Sequence, residues 1–141
     1  MQRSGSAVWT GNLKQGKGKI STQSGVLTDA QYGFNTRFED GPGTNPEELI
    51  GAAHAGCFSM ALSMMLTEAG LTVDKIATNA SVTLDKTDEG FTITKVHLTL
   101  TAKIPNTDEK TFLEIANKAK AGCPVSRLLK AEITLDAKLE S

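Results

Sequence analysis

Apolar and polar residues alternate along several short segments of the chain, a period of two that is typical of β-strands. In the first third, this pattern predicts strands at residues 7–10, 19–22 and 25–27, with a glycine- and lysine-rich turn at 11–19 and an irregular segment at 33–44. Residues 80–85 and 91–100 are joined by Asp88-Glu89-Gly90 and predict a β-hairpin, and residues 132–139 predict a closing strand.

The longest apolar stretch predicts a helix from Pro46 to about Ala69. Asn45 suits the N-cap, Pro46 fits the first helical position, and Glu48 completes a capping box. Gly70 follows as a C-terminal stop. Between Cys57 and Leu66 the residues are apolar on nearly every face, which predicts a helix buried on all sides.

Two further helices are predicted at residues 108–121 and 124–129, separated by Gly122. The order of elements indicates an α+β fold in which an antiparallel sheet is wrapped around the long central helix. Because one sheet covers only one side of an apolar helix, we also expect a symmetric homodimer that covers the other side.

Length and charge limit the function classes. A chain of 141 residues is expected to form a single domain, residues 1–141. Its 15 Lys and Arg residues balance 16 Asp and Glu residues, which argues against a nucleic acid or an anionic membrane as partner. The N-terminus lacks the apolar segment of a signal peptide, and no apolar run approaches the ~20 residues of a membrane span, so a cytoplasmic protein is expected.

The two cysteines, Cys57 and Cys123, are the main candidates for chemistry. Structural disulfides are rare in the cytosol, so such a pair is catalytic, redox-sensing, metal-binding or inert. Cys123 precedes Pro124 at the start of a short predicted helix, where backbone N–H groups favour a thiolate. Cys57 lies among small and apolar residues, which raise the pKa of a thiol unless a cation compensates. Inert packing is the alternative for both.

Arg37 is the candidate cation, since it lies between Phe34 and Phe38 in the predicted loop before the long helix. Glu47 is a candidate to orient it through a bidentate pair, and stabilisation of the helix dipole is the alternative. Glu47 and Cys57 are ten residues apart, or about 15 Å on a straight helix, so they do not touch within one helix. A broken helix, a bridging Arg37 and a shared dimer interface all remain open.

Neighbours of Cys57 offer further candidates. His54 lies three residues before it, on the same helical face. His54 is a candidate base for the thiol, and the more common alternative is a histidine packed in the core. The methionines Met60, Met64 and Met65 are expected in the core, and the alternative is that they line an apolar substrate pocket.

Four parts of the chain together resemble the OsmC/Ohr family of thiol peroxidases, and the OsmC branch more than the Ohr branch. The matching parts are Gly33-Phe34-Asn35-Thr36-Arg37-Phe38, Thr44-Asn45-Pro46-Glu47-Glu48-Leu49, Ala52-Ala53-His54-Ala55-Gly56-Cys57-Phe58-Ser59-Met60-Ala61-Leu62 and Ala119-Lys120-Ala121-Gly122-Cys123-Pro124-Val125-Ser126. The resemblance covers nearly the whole chain.

The resemblance implies an intertwined homodimer with two sites at the subunit interface. It implies that Cys57 is the peroxidatic cysteine, Cys123 the resolving cysteine, Arg37 the arginine that activates the thiol, and Glu47 the glutamate that holds this arginine. A dithiol reductant, for which the family favours the lipoyl type, then recycles a Cys57–Cys123 disulfide. An apolar pocket of Phe58 and the methionines is expected to favour organic hydroperoxides over hydrogen peroxide. No metal, haem, flavin or other cofactor is implied, and the family role is defence against oxidative and osmotic stress.

Two other functions remain open on the residues alone. One is a cysteine hydrolase or acyl-transfer enzyme that uses Cys57 with His54. The other is a metal or ligand binder that uses Cys57, Cys123 and His54. Loss of Cys123 would leave the hydrolase active, whereas a peroxidase cycle depends on both thiols.

Overall fold

A computed structural model describes residues 1–140, which form two three-stranded sheets and four helices. The elements in chain order are β1 (Gly5–Thr10), β2 (Lys17–Thr22), β3 (Ala30–Tyr32), α1 (Phe34–Phe38), α2 (Pro46–Glu68), β4 (Lys75–Thr87), β5 (Gly90–Lys103), α3 (Glu109–Gly122), α4 (Pro124–Leu128) and β6 (Glu132–Glu140). Contacts divide this chain into a first unit, residues 1–49, and a second unit that starts at Ile50.

The first unit contains an antiparallel sheet in the order β1-β2-β3. Gly18 in β2 lies opposite both Trp9 and Tyr32, whose ring centroids are 5.6 Å apart. A Cβ on Gly18 would collide with the Tyr32 ring, so this position requires glycine.

Two predictions for the first unit are wrong, and strand β3 was not predicted. Residues 25–27 form a turn instead of a strand, because Gly25 has φ +80° and the Thr22 N–H donates to the Leu27 carbonyl at 2.9 Å. The segment 33–44, predicted to be irregular, contains helix α1, and β3 precedes it. Gly33 is the N-cap of α1, and Gly41, Pro42 and Gly43 follow the helix, so these residues limit it to a short helix without preventing it.

Helix α2 has the predicted ends, with one correction at its start. The Asn45 side chain accepts the Glu48 N–H at 2.8 Å as a cap. The Glu48 carboxylate accepts the Thr44 hydroxyl at 2.7 Å instead of the Asn45 N–H, so the prediction of a complete capping box is wrong. At the other end, Gly70 has φ +80° and the Leu71 N–H donates to the Leu66 carbonyl at 3.0 Å. This pattern is a Schellman motif, for which glycine is the favoured residue.

The second unit contains a sheet in the order β4-β5-β6. The predicted hairpin is confirmed as β4 and β5, which pair from Lys75↔Lys103 to Thr87↔Gly90. Strand β6 runs parallel to β5, so the prediction of a wholly antiparallel sheet wrapped on one helix is wrong, although the α+β class is confirmed. Helices α3 and α4 lie between β5 and β6 in the chain, and such a helical crossover is what a parallel pair needs.

The core of the second unit lies between α2, β5 and α3. Its fully or nearly fully buried members are Phe58, Leu62, Leu66, Val96, Leu98, Leu100, Ala102, Ile104, Phe112, Ala116, Ala119 and Cys123. Helix α2 contributes one stripe at a spacing of about four residues, and its Gly51 comes so close to β4 that a Cβ there would lie 3.1 Å from the Ala80 carbonyl oxygen.

The remaining faces of α2 are not covered within the described chain. Met60 is 76% exposed and Met64 54%, so the expected burial on every side is not met by one copy. The window of highest hydropathy in α2 averages 1.6, and by length and composition the helix is able to cross a membrane. The expectation that no apolar stretch reaches that length is therefore wrong, although the core helix of a soluble protein has the same composition.

Candidate active site

The second unit brings Cys57 and Cys123 together. Cys57 lies in the middle of α2 and is partly exposed, whereas Cys123 is fully buried. Both are free thiols, and Cys123 lies near enough to Cys57 to affect the pKa of its thiol. The fold therefore places the two sulfurs near each other.

Cys123 is placed by the junction of two helices. Its N–H donates to the Ala119 carbonyl at 2.9 Å, which closes α3, and its own carbonyl accepts the Arg127 N–H at 3.0 Å, which opens α4. Pro124 occupies the first position of α4, as predicted, because that position needs no N–H. The sulfur is thus held on a turn whose backbone is hydrogen-bonded on both sides.

Opposing effects act on the pKa of Cys57. Burial raises it and is the largest effect. The Val125 N–H donates to the sulfur and lowers the pKa, while the hydrogen bond to Cys123 and the charge of that thiol raise it. The net result is a raised pKa, so these surroundings favour the protonated and unreactive thiol.

His54 bonds to a serine instead of to Cys57. Its side chain is fully buried, and Nε2 lies 2.7 Å from the Ser126 hydroxyl. Its Nδ1 has no hydrogen-bond partner among the described residues. Burial lowers the pKa of His54, so the ring is neutral at pH 7. Sequence reasoning did not single out Ser126, although its place three residues after Cys123 was the available signal.

Arg37 and Glu47 form an ion pair in the first unit. Arg37 donates from Nε at 3.0 Å and from a terminal nitrogen at 2.7 Å, and both bonds end on the same oxygen, Glu47 Oε1. The predicted pairing of Arg37 with Glu47 is therefore present and uses two N–H donors, although one carboxylate oxygen accepts both bonds. The Arg37 side chain is 37% exposed and that of Glu47 12%, so the guanidinium remains accessible beyond this pair.

Local hydrogen bonds fix α1, which carries Arg37. The Thr36 hydroxyl accepts the Gly33 N–H at 2.8 Å and donates to the Gly33 carbonyl at 2.9 Å. Asn45 donates its side-chain amide to the Thr36 carbonyl at 3.0 Å. Asn45 therefore holds α1 and caps α2, so one residue orients the helices that carry Arg37 and Glu47.

A cavity of about 300 Å³ lies beside Arg37 in the first unit. Its lining is largely aromatic and consists of Trp9, Leu13, Tyr32, Gly33, Phe34, Arg37, Phe38 and Pro46. The predicted pocket around Phe58 is wrong in place, because Phe58 is fully buried in the core and Met60 projects into solvent. Within residues 1–140, no group of three or more His, Cys, Asp and Glu side chains is arranged to hold a metal ion.

Comparison with known proteins identifies the family. The family model for OsmC-like proteins matches residues 39–138. The chain is 61% identical over 141 residues to Peroxiredoxin OsmC of Escherichia coli (strain K12), which covers all of this chain and 99% of that protein. It is 33% identical over 124 residues to Organic hydroperoxide resistance protein OhrB of Bacillus subtilis (strain 168), covering 87% and 88% of the two chains.

Solved structures agree with this. The crystal structure of Bacillus subtilis OhrB matches with a TM-score of 0.69 at 26% identity, covering 97% of this chain and 98% of that one. An OsmC-like protein from Vibrio cholerae matches with a TM-score of 0.78 at 16% identity, covering 97% and 99%, which supports the fold alone. The fold, the paired thiols and these matches define an OsmC/Ohr-type protein. The chain belongs to the OsmC-like family, as its sequence motifs predict.

Proposed function

We propose that this protein is a cysteine-based thiol peroxidase that reduces organic hydroperoxides to alcohols, and hydrogen peroxide less efficiently, in defence against oxidative and osmotic stress. The observation that carries the proposal is the neighbouring pair of free thiols, Cys57 and Cys123, which are 66 residues apart in the sequence. The relatives, a peroxiredoxin and an organic hydroperoxide resistance protein, support the same chemistry.

In the first step, the Cys57 thiolate attacks the distal oxygen of the hydroperoxide. The O–O bond breaks, the alkoxide leaves and takes up a proton to become an alcohol, and Cys57 becomes a sulfenic acid. In the second step, the Cys123 sulfur attacks the Cys57 sulfur. A disulfide forms, and the hydroxyl group leaves with a proton as water. Partial exposure of Cys57 and full burial of Cys123 fit this division of roles.

Activation of Cys57 is the proposed role of Arg37. Because burial raises the pKa of Cys57, its thiolate needs a cation, and the Arg37 guanidinium cannot lose its charge. Glu47 would hold the guanidinium in place through its carboxylate oxygen. Since Arg37 and Glu47 belong to the first unit and the thiols to the second, their meeting is part of the proposal.

Recycling of the disulfide needs an external dithiol, for which we propose a lipoyl-type reductant. Its first thiolate opens the Cys57–Cys123 disulfide as a mixed disulfide, and its second thiol closes its own disulfide and releases the reduced protein. No metal or organic cofactor takes part in this cycle, and no nucleic acid or membrane partner is proposed. We place the protein in the cytoplasm, with residues 1–141 acting as one domain.

We also propose an intertwined homodimer with its active sites at the subunit interface. The support is the apolar face of α2 that one copy leaves uncovered, where Met60 and Met64 project into solvent. Beside them, a Cβ on Gly56 would meet no atom within 4 Å, so this face has room for close approach of another helix. Burial of such a face between two copies is the usual outcome for soluble oligomers.

The two rival functions have less support. A Cys57–His54 hydrolase needs the imidazole at the thiol, whereas His54 Nε2 bonds to Ser126 and its Nδ1 lacks an orienting partner among the described residues. A metal binder needs three or more convergent ligands, and residues 1–140 contain no such group.

The test is the intact mass of the protein after one equivalent of cumene hydroperoxide, with free thiols alkylated under non-reducing conditions. We expect the loss of two alkylation sites per chain and a peptide that links Cys57 to Cys123. The variant Cys123→Ser should accumulate an oxidised Cys57. In Cys57→Ser, the remaining thiol of Cys123 should stay unoxidised and be alkylated fully. Full alkylation of both thiols in the treated wild-type protein would refute the proposal.

A further inference from the structure

Two pairs of side chains join α2 to the start of α4. Cys57 lies near Cys123, and one turn earlier on α2, His54 is hydrogen-bonded to Ser126 at 2.7 Å. Within each element the two residues are three positions apart, so they lie on the same face. The His54–Ser126 bond is therefore a second connection beside the thiol pair, made without either sulfur.

Helix α4 has few interactions of its own to keep it in place. It has five residues, none of them fully buried, and its N-cap Cys123 makes no side-chain capping bond. A helix this short is not stable by itself and depends on contacts with its surroundings. Val125 and Leu129 pack at the edge of the core, and the Val125 N–H donates to the Cys57 sulfur.

Oxidation of Cys57 disturbs the contacts made through its sulfur. A sulfenic acid carries an added oxygen where the thiol bonded to Cys123 and accepted the Val125 N–H. The His54–Ser126 bond involves no reacting atom, so it persists through this step and keeps α4 next to α2.

The protonation state of His54 suits a residue that holds α4 next to α2 better than it suits a catalytic base. Because Nδ1 is buried without a partner among residues 1–140, a proton there would leave an unsatisfied donor, whereas a bare lone pair costs less. The favoured form is thus neutral, with Nε2–H donated to the Ser126 hydroxyl. An aliphatic side chain would fill the site without any unpaired polar atom, so packing alone does not account for a histidine.

We propose that His54 and Ser126 are positioning residues for the second step of the cycle, in which their hydrogen bond holds Cys123 within reach of the oxidised Cys57. This inference rests on the proposed peroxidase function. The step competes with attack of the sulfenic acid on a second hydroperoxide molecule, which yields a sulfinic acid and another alcohol. Correct placement of Cys123 therefore raises the number of turnovers before irreversible oxidation.

The test compares Ser126→Ala with wild type in rapid mixing against cumene hydroperoxide, followed by mass analysis of Cys57. We expect sulfenic acid to form within about twofold of the wild-type rate, and the disulfide to form about tenfold more slowly, the size of effect typical of lost orientation. The fraction of sulfinic acid per turnover should rise in proportion. Ser126→Thr keeps the hydroxyl and His54→Gln keeps a donor near the position of Nε2, so both should restore most of the disulfide rate.

Ser59→Ala is the matched control, because the Ser59 hydroxyl bonds to that of Thr78 at 2.7 Å, also from α2 but toward β4. It should leave the partition between disulfide and sulfinic acid unchanged. The inference is overturned if Ser126→Ala forms the disulfide at the wild-type rate, or if Ser59→Ala slows it equally. Failure of the proposed function has a different signature, since the wild-type protein itself would then form no disulfide.

Discussion

Cys123 lies near enough to Cys57 to raise the pKa of its thiol, although the two thiols differ sharply in exposure. Cys57 on α2 is partly accessible, while Cys123 at the N-cap of α4 has no exposed surface. A hydroperoxide therefore reaches one sulfur first, and the second sulfur is already in place to react with the product. The asymmetry of the pair separates the two chemical steps.

This asymmetry predicts the order of alkylation. With limiting iodoacetamide, the folded protein should be modified at Cys57 about tenfold faster than at Cys123, because access limits the buried thiol. Peptide mapping after a short reaction gives the ratio. In strong denaturant the two sites should react at similar rates, which serves as the control. Preferential modification of Cys123 in the folded protein would contradict the assigned roles.

Removal of the Arg37 charge should move the reactivity of Cys57 to higher pH. An opposite charge within contact distance shifts a pKa by about 1–3 units, so Arg37→Gln should raise the pKa of Cys57 and slow peroxide reduction at neutral pH by about tenfold or more. The pH profile of Cys57 alkylation measures the shift directly. Glu47→Gln should give a smaller shift in the same direction, since it keeps the cation but loosens its position.

The control for this experiment is Arg3→Gln, which removes an equal charge at an exposed position. The Arg3 guanidinium donates to the carbonyl of the adjacent Gln2. Its pH profile should superimpose on that of wild type. An Arg37→Gln profile that also superimposes would show that Arg37 does not act on Cys57.

Local signals in the sequence predicted most helices correctly. Asn45, Pro46 and Gly70 mark the ends of α2 through capping geometry that depends on a few neighbouring residues. Asp108 likewise accepts the Thr111 N–H at 2.7 Å at the start of α3. Such ends are readable because the hydrogen bonds that define them join residues close in sequence.

Features that depend on distant residues were harder to predict. The parallel pairing of β6 with β5 depends on the path of α3 and α4. The alternating residues of β6 suit antiparallel pairing equally well, so the sequence of the strand does not reveal its direction. The aromatic cavity beside Arg37 combines residues from β1, β3 and α1, so no local motif reveals it. The hydrogen bond from His54 to Ser126 joins two helices far apart in the chain.

The aromatic cavity predicts substrate preference. If the cavity receives the organic part of the hydroperoxide, Trp9→Ala should lower kcat/KM for cumene hydroperoxide by about tenfold, because apolar contact is lost. The kcat/KM for hydrogen peroxide should stay within about twofold of the wild-type value. Val8→Ala is the matched control, because Val8 is the preceding residue in β1 and does not line the cavity. Equal losses for the two peroxides in Trp9→Ala would argue against this binding mode.

Burial of neutral His54 predicts a loss of stability in acid. Its pKa lies below the ordinary value of 6.5, so between these two values the unfolded chain binds a proton that the folded protein does not. The stability contributed by neutral His54 is therefore complete above pH 6.5 and is lost as the pH falls through its folded value. Urea unfolding should show a steeper decline from pH 7 to pH 5 in wild type than in His54→Gln, which cannot titrate. Equal slopes would contradict a buried neutral imidazole.

The uncovered face of α2 predicts the oligomeric state. Met60 is 76% exposed in a helix whose other side forms the core, and burial of this face between two copies would remove it from water. Met60→Glu places a charge at that contact, and an unpaired charge is costly to bury, so sedimentation should show a shift from dimer to monomer at micromolar concentration. Leu128→Glu is the control, since Leu128 is 78% exposed on α4 and should leave the dimer intact. A wild-type protein that sediments as a monomer, or a Met60→Glu protein that remains a dimer, would show that α2 does not form the contact.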